Sequence, residues 1–116
     1  MKKCLLTLFA LMMVTPGTSV FAASFNCNQA QSITEKQICA VRSLNDADVK
    51  LATTYQLILK AVPMGSRDAQ KDRQWQWLKQ RNRCGKTIQC LQAQYQNRQH
   101  ELDTVIEQRI LSQGPF

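Results

Sequence analysis

Histidine occurs once in this chain, at His100, and glycine only four times. Those two scarcities exclude much familiar chemistry. One histidine cannot make an HExxH helix, no Ser/His/Asp pattern is recognisable, and four scattered glycines give no phosphate-cradling loop. His100, between Gln99 and Glu101 in a helical stretch, reads as a residue on a helix face rather than a general base. Acidic residues are also few, eight against fifteen lysines and arginines, and none falls in a motif that would pair carboxylates across a cleft. The sequence therefore points away from an enzyme. No cofactor and no metal site are expected.

Long apolar runs are lacking too, with one exception at the start. Leu5 to Val14 is apolar except for Thr7, is preceded by Met1-Lys2-Lys3, and is followed by Pro16-Gly17 and then Val20-Phe21-Ala22. A positive start, a short apolar centre and a small-residue end form the layout of a secretory signal peptide. The run is shorter than the roughly 20 residues that span a bilayer. Cleavage is expected after Ala22, leaving a single domain over residues 23–116. Beyond it the longest apolar run is Ile38 to Val41, so no membrane span is expected after removal of the signal. The expected location is periplasmic or secreted.

Removing residues 1–22 takes Cys4 away and leaves an even set: Cys27, Cys39, Cys84 and Cys90. In a short exported domain, four cysteines imply two disulfides with three possible connectivities. Local pairing would close loops of eleven and five intervening residues, each closure contributing about 2–3 kcal/mol. A four-cysteine zinc site is the competing reading. It lacks the close C-x(2–4)-C spacings, and an oxidising compartment opposes it.

Strand-like alternation is absent, whereas helical periodicity recurs. Residues 23–31 read as an irregular arm. Ser32-Ile33-Thr34-Glu35 fits a capping box opening a short helix through Ile38, Cys39 and Val41. Asn45 is the expected cap of a second helix reaching about Val62, with Leu44, Asp48, Leu51, Tyr55 and Ile58 on one stripe. Pro63-Met64-Gly65-Ser66 reads as a turn in which Ser66 caps a third helix, about 67–84. Gly85 stops that helix, and Thr87 caps a fourth carrying Ile88, Leu91, Tyr95, Leu102 and Ile110 until Gly114-Pro115. The fold class is all-α: a small bundle of three main helices and one short N-terminal helix, stapled by two disulfides. The inward face of the third helix, with Gln70, Gln74, Trp77, Arg81 and Cys84, is polar for a core and requires partners.

Charge is uneven. Between Arg67 and Lys86 lie seven positive and two negative residues, and the rest of the mature chain sums to zero. Trp75 and Trp77 are interleaved there. They lie about 160° apart around a helix, so Trp77 is assigned to the core and Trp75, with Lys79, to the surface. Basic and aromatic residues together fit an anionic partner such as an envelope polymer or an acidic protein cleft. An exported domain has little occasion to meet nucleic acid, and none is expected as a partner.

The order Cys27, Thr34-Glu35-Lys36-Gln37-Ile38-Cys39, Leu44, Asp48, Leu51, Tyr55, then Gln74-x-x-Trp77-Leu78-x-x-Arg81-x-x-Cys84-Gly85 and Cys90-Leu91-x-x-x-Tyr95-x-x-Arg98-x-x-x-Leu102 resembles the LprI-like lysozyme-inhibitor domain family. The resemblance covers about residues 25–106. It implies an exported helical domain with the two local disulfides, Cys27–Cys39 and Cys84–Cys90, and it supplies no catalytic residues. Asn82 departs from the acidic residue that often follows the arginine in that family, which makes this face more basic.

Antiparallel packing of the second and third helices about the 63–66 turn would set Asp48 opposite Arg81 and Tyr55 opposite Gln74. A buried structural network of these four residues is therefore expected. Two functional readings follow. One is an inhibitor of lysozyme or a related cell-wall hydrolase, with Arg83 and Lys86 at the small Cys84–Cys90 loop entering the carboxylate-lined cleft. The other is an envelope-binding module that rests its basic helix, anchored by Trp75, on anionic lipopolysaccharide or wall polymer.

Overall fold

The computed structural model describes residues 23–114. Residues 1–22, read from the sequence as a signal peptide, lie outside the described residues, as do residues 115–116. Four α-helices follow in order: α1 Ile33–Ala40, α2 Arg42–Ala61, α3 Met64–Arg83 and α4 Ile88–Val105. No strand occurs among the described residues. The arm before α1 contains one 3-10 turn, Cys27–Gln29, and α4 runs on through a π-helical turn, Ile106–Ile110.

The capping box forms. Ser32 Oγ accepts from the Glu35 N–H at 3.0 Å, and Glu35 Oε2 accepts from the Ser32 N–H at 3.5 Å. Thr87 stands at the N-cap of α4 but makes no side-chain cap hydrogen bond, and two other expected caps are not at helix starts. α2 begins at Arg42, with extended Val41 as the only break from α1, and Asn45 lies within the helix, buried. The apolar stripe that includes Leu44 draws the first turn onto the core, so packing sets this boundary rather than the polar cap. Likewise α3 starts directly after Pro63, leaving Gly65 and Ser66 in its first turn. Proline's fixed φ suits a helix entrance, and Arg67 locks the corner by donating from Nε to the Leu59 carbonyl at the end of α2, at 2.8 Å. At the other end of α3, Gly85 adopts φ +60°, the left-handed conformation that ends helices without a Cβ penalty.

α2 and α4 pack along much of their length, α1 folds against α2, and α3 closes on α4 while touching α2 more sparingly. The core between them is Ile38, Leu44, Leu51, Ile58, Val62, Trp77, Leu91, Tyr95 and Leu102. Disulfides join Cys27 to Cys39 and Cys84 to Cys90, with Cα atoms 5.8 and 5.5 Å apart. The first pins the arm to α1. The second closes the α3–α4 corner. That corner is also tied to α1, because the Thr34 hydroxyl sits 2.9 Å from the Gly85 carbonyl and 3.3 Å from that of Asn82. The Asn82 carbonyl, at the end of α3, also accepts from the Gly85 N–H at 3.2 Å.

Candidate functional site

Two regions collect the residues singled out by the sequence: a buried polar network and an exposed basic stripe. The inward-facing residues of α3, Gln70, Gln74, Trp77 and Arg81, are buried, as is Cys84 at its C-cap. Asp48 on α2 and Arg81 on α3 face each other, Oδ1 to Nη1, at 3.7 Å, and both side chains are only 5% exposed.

Their contact runs through a third residue. The Tyr95 hydroxyl of α4 donates to Asp48 Oδ1 at 2.7 Å and accepts from Arg81 Nη1 at 3.3 Å. Asp48 Oδ2 accepts from the Ser24 N–H at 2.7 Å. Arg81 turns its other two nitrogens to its neighbour, with Nε and Nη2 donating to Asn82 Oδ1 at 3.1 and 2.9 Å. The asparagine that departs from the resembled pattern therefore serves as the acceptor for a buried guanidinium. Burial first, and then the Asp48 charge, push the Tyr95 hydroxyl well above its ordinary ionisation range, so it stays a donor.

Tyr55 and Gln74, expected to face each other, share no hydrogen bond among the described residues. Gln74 Oε1 accepts instead from Arg98 Nε at 3.1 Å, and Arg98 Nη1 donates to Glu101 at 2.8 Å. Arg98 is itself 3% exposed. A charge-assisted bond to a buried guanidinium outcompetes a neutral contact with a half-buried phenol. Tyr55 and Gln74 still line one groove between α2 and α3, about 560 Å³, with Asp48 and Arg81 on its walls. Burial raises the Tyr55 pKa, while the nearby Arg98 charge pulls it down.

Sequence reasoning placed neither Tyr95 nor Arg98 in the network. Leu91, Tyr95, Arg98 and Leu102 are all buried on α4 at spacings of four, three and four, and that seam spacing was the available signal. Ser24 and Thr34 carried none, since one acts through its backbone and the other caps a helix distant in sequence.

On the outer side of α3, Trp75 is 59% exposed and Trp77 is 6% exposed. The Trp77 indole N–H donates to the Gln94 carbonyl at 3.1 Å, and its ring meets Tyr95 edge-on at 5.3 Å. Trp75 carries the Lys79 ammonium over its ring, 3.2 Å from the centroid. Trp75, Lys79 and Arg83 recur every four residues, so they form one slowly winding exposed stripe. Lys86 is exposed beyond Gly85, within the loop closed by Cys84–Cys90. The last turn of α3 carries Arg81 and Arg83, the sign of charge its dipole favours at that end.

Among the described residues, no group of three or more His, Cys, Asp or Glu side chains is placed to hold a metal ion, and no helix is long and apolar enough to cross a membrane. No protein-family model, curated protein or solved structure matches the chain.

Proposed function

We propose that this chain is an exported, non-enzymatic binding module, periplasmic or secreted, that inhibits lysozyme or a related cell-wall hydrolase through its α3–α4 corner. The observation that carries the reading is the construction of that corner. Arg83 and Lys86 project from a turn held by the Cys84–Cys90 disulfide and by the Thr34 hydroxyl on two of its carbonyls. A cationic protrusion fixed in advance loses little conformational entropy on entering a cleft, and hydrolases of this type place two carboxylates there. The buried network takes the role of scaffold in this reading, because Asp48 and Arg81 have their partners inside the fold.

The basic character of the corner favours an acidic hydrolase over a strongly basic one, which it would meet with long-range repulsion. The test is inhibition by oxidised 23–116 against a panel of acidic and basic lysozymes at low and physiological salt. Saturable inhibition that persists at physiological salt and is lost in Lys86→Glu supports the reading. No inhibition of any member at either salt overturns it.

The Trp75–Lys79 stack favours one alternative, an envelope-binding module. An exposed indole covered by a cation on a basic stripe fits an anionic polymer such as lipopolysaccharide. Co-sedimentation that weakens steeply with salt and is lost in Trp75→Ala would select it.

A further inference from the structure

The arm before α1 enters the centre of the molecule. Ser24 donates its backbone N–H to Asp48 Oδ2 at 2.7 Å, Ala23 is buried, and Phe25 packs against the core. Asp48 is a carboxylate with a 5% exposed side chain, and no cation forms a direct hydrogen bond to it among the described residues. Arg81 approaches from the Oδ1 side but spends Nη1 on Tyr95 and its other nitrogens on Asn82. The Oδ2 side, where the arm lies, faces a single neutral peptide donor.

We propose that export processing completes this network: cleavage between Ala22 and Ala23 creates an α-ammonium at Ala23 that pairs with Asp48. The inference rests on the expected cleavage position and on export. Hydrolysis of the Ala22–Ala23 peptide bond consumes one water, leaves a carboxylate on Ala22 and frees the Ala23 nitrogen, which takes up a proton. A neutral amide with one hydrogen thereby becomes a cation with three. Backbone geometry holds that nitrogen about 3 Å from the Ser24 nitrogen, and so beside the carboxylate that Ser24 already touches. Asp48 then lies between two cations, Arg81 on one oxygen and the chain terminus on the other.

The titratable groups around Asp48, and so nearest the new terminus, are Arg81 from α3 and Tyr95 from α4, both on the Oδ1 side. Glu35 of α1 is occupied in its own capping box, and residues 23–26 carry no ionisable side chain. The pair makes a pH signature. An α-ammonium held by Asp48 titrates above its unfolded range of about 7.7–8.0. Its contribution is therefore complete below that range and disappears as pH rises through the higher folded value.

The test compares the chain beginning at Ala23 with the same chain carrying a Gly-Ser extension, each as wild type and as Asp48→Asn. Thermal melts are recorded at pH 6.5 and pH 10. The free Ala23 terminus is expected to raise the melting temperature by about 4–8 °C over the extended chain at pH 6.5. The gap should close at pH 10 and in Asp48→Asn. Should Asp48→Asn not fold, titration of a 13C-dimethylated terminus in the wild-type chain decides the matter, a raised pKa supporting the pair. Equal melting temperatures at pH 6.5, or a terminus titrating at its unfolded value, would overturn it. Intact mass of the exported protein reads the cleavage position separately. A different start there corrects the processing site, while the defined Ala23 chain still tests the pair.

Discussion

Tyr95 stands between Asp48 and Arg81, donating its hydroxyl hydrogen to the carboxylate at 2.7 Å and receiving one from the guanidinium at 3.3 Å. One phenol on α4 thus joins charges on α2 and α3, and the three main helices meet at a single oxygen. Tyr95→Phe keeps the ring against Trp77 and removes only that link. A loss of about 1–3 kcal/mol is expected, the cost of leaving a buried polar group short of a partner. Urea unfolding of the oxidised domain measures it, and an unchanged midpoint would assign the network no stabilising role.

Removing the cation should cost more. Arg81→Ala leaves Asp48 buried without its facing charge, for which about 3–5 kcal/mol is expected. Arg81→Lys should recover part of this, since one ammonium cannot replace donors to both Tyr95 and Asn82. A variant of Arg81 that is fully stable yet fails to inhibit would move this residue from scaffold to contact surface.

Both tyrosines of the chain, Tyr55 and Tyr95, have pKa values raised by burial. A raised folded value contributes stability that is complete below the unfolded pKa of about 10 and is lost as pH rises through the folded value. The phenolate absorbance of Tyr95 near 295 nm should therefore stay low at pH 10 and rise together with alkaline unfolding, whereas Tyr55 should titrate later than a free tyrosine. Titration of Tyr95 at pH 10 in a domain still folded by circular dichroism, followed with Tyr55→Phe, would contradict the burial.

The two tryptophans separate cleanly. Trp75→Ala, at a 59% exposed site, should change stability by no more than about 0.5 kcal/mol, whereas Trp77→Ala should cost about 3–5 kcal/mol. Iodide quenching gives an independent check, because it should report Trp75 and spare Trp77. The reverse pattern would place the wrong ring in the core.

Opening the Cys84–Cys90 loop should matter twice. The double Cys→Ser variant is expected to lose about 2–3 kcal/mol of stability. If the corner acts as proposed, it should also weaken inhibition while the domain remains folded. Stability loss with unchanged inhibition would separate the staple from the contact surface.

The helical architecture was legible because apolar spacing is local information. Leu44, Leu51 and Ile58 fall on one stripe of α2, and Leu91 and Leu102 on one stripe of α4. Gly85 marked its helix end through backbone conformation alone. Caps were less legible. Asn45 and Ser66 had the right chemistry, but packing of Leu44 and the fixed φ of Pro63 extended both helices past them.

By itself the sequence determined the helical class, the face each helix buries, and the concentration of positive charge on the third helix. These follow from residue order, with no knowledge of what lies opposite. Only the tertiary structure decided how the buried polar groups are partnered. Gln74 turned to Arg98 rather than Tyr55, Arg81 turned to Asn82 and Tyr95, and a backbone N–H from the arm reached Asp48. A periodic pattern states that a side chain points inward. Which donor meets it depends on distances between helices, and a buried charge selects the strongest donor or acceptor within reach.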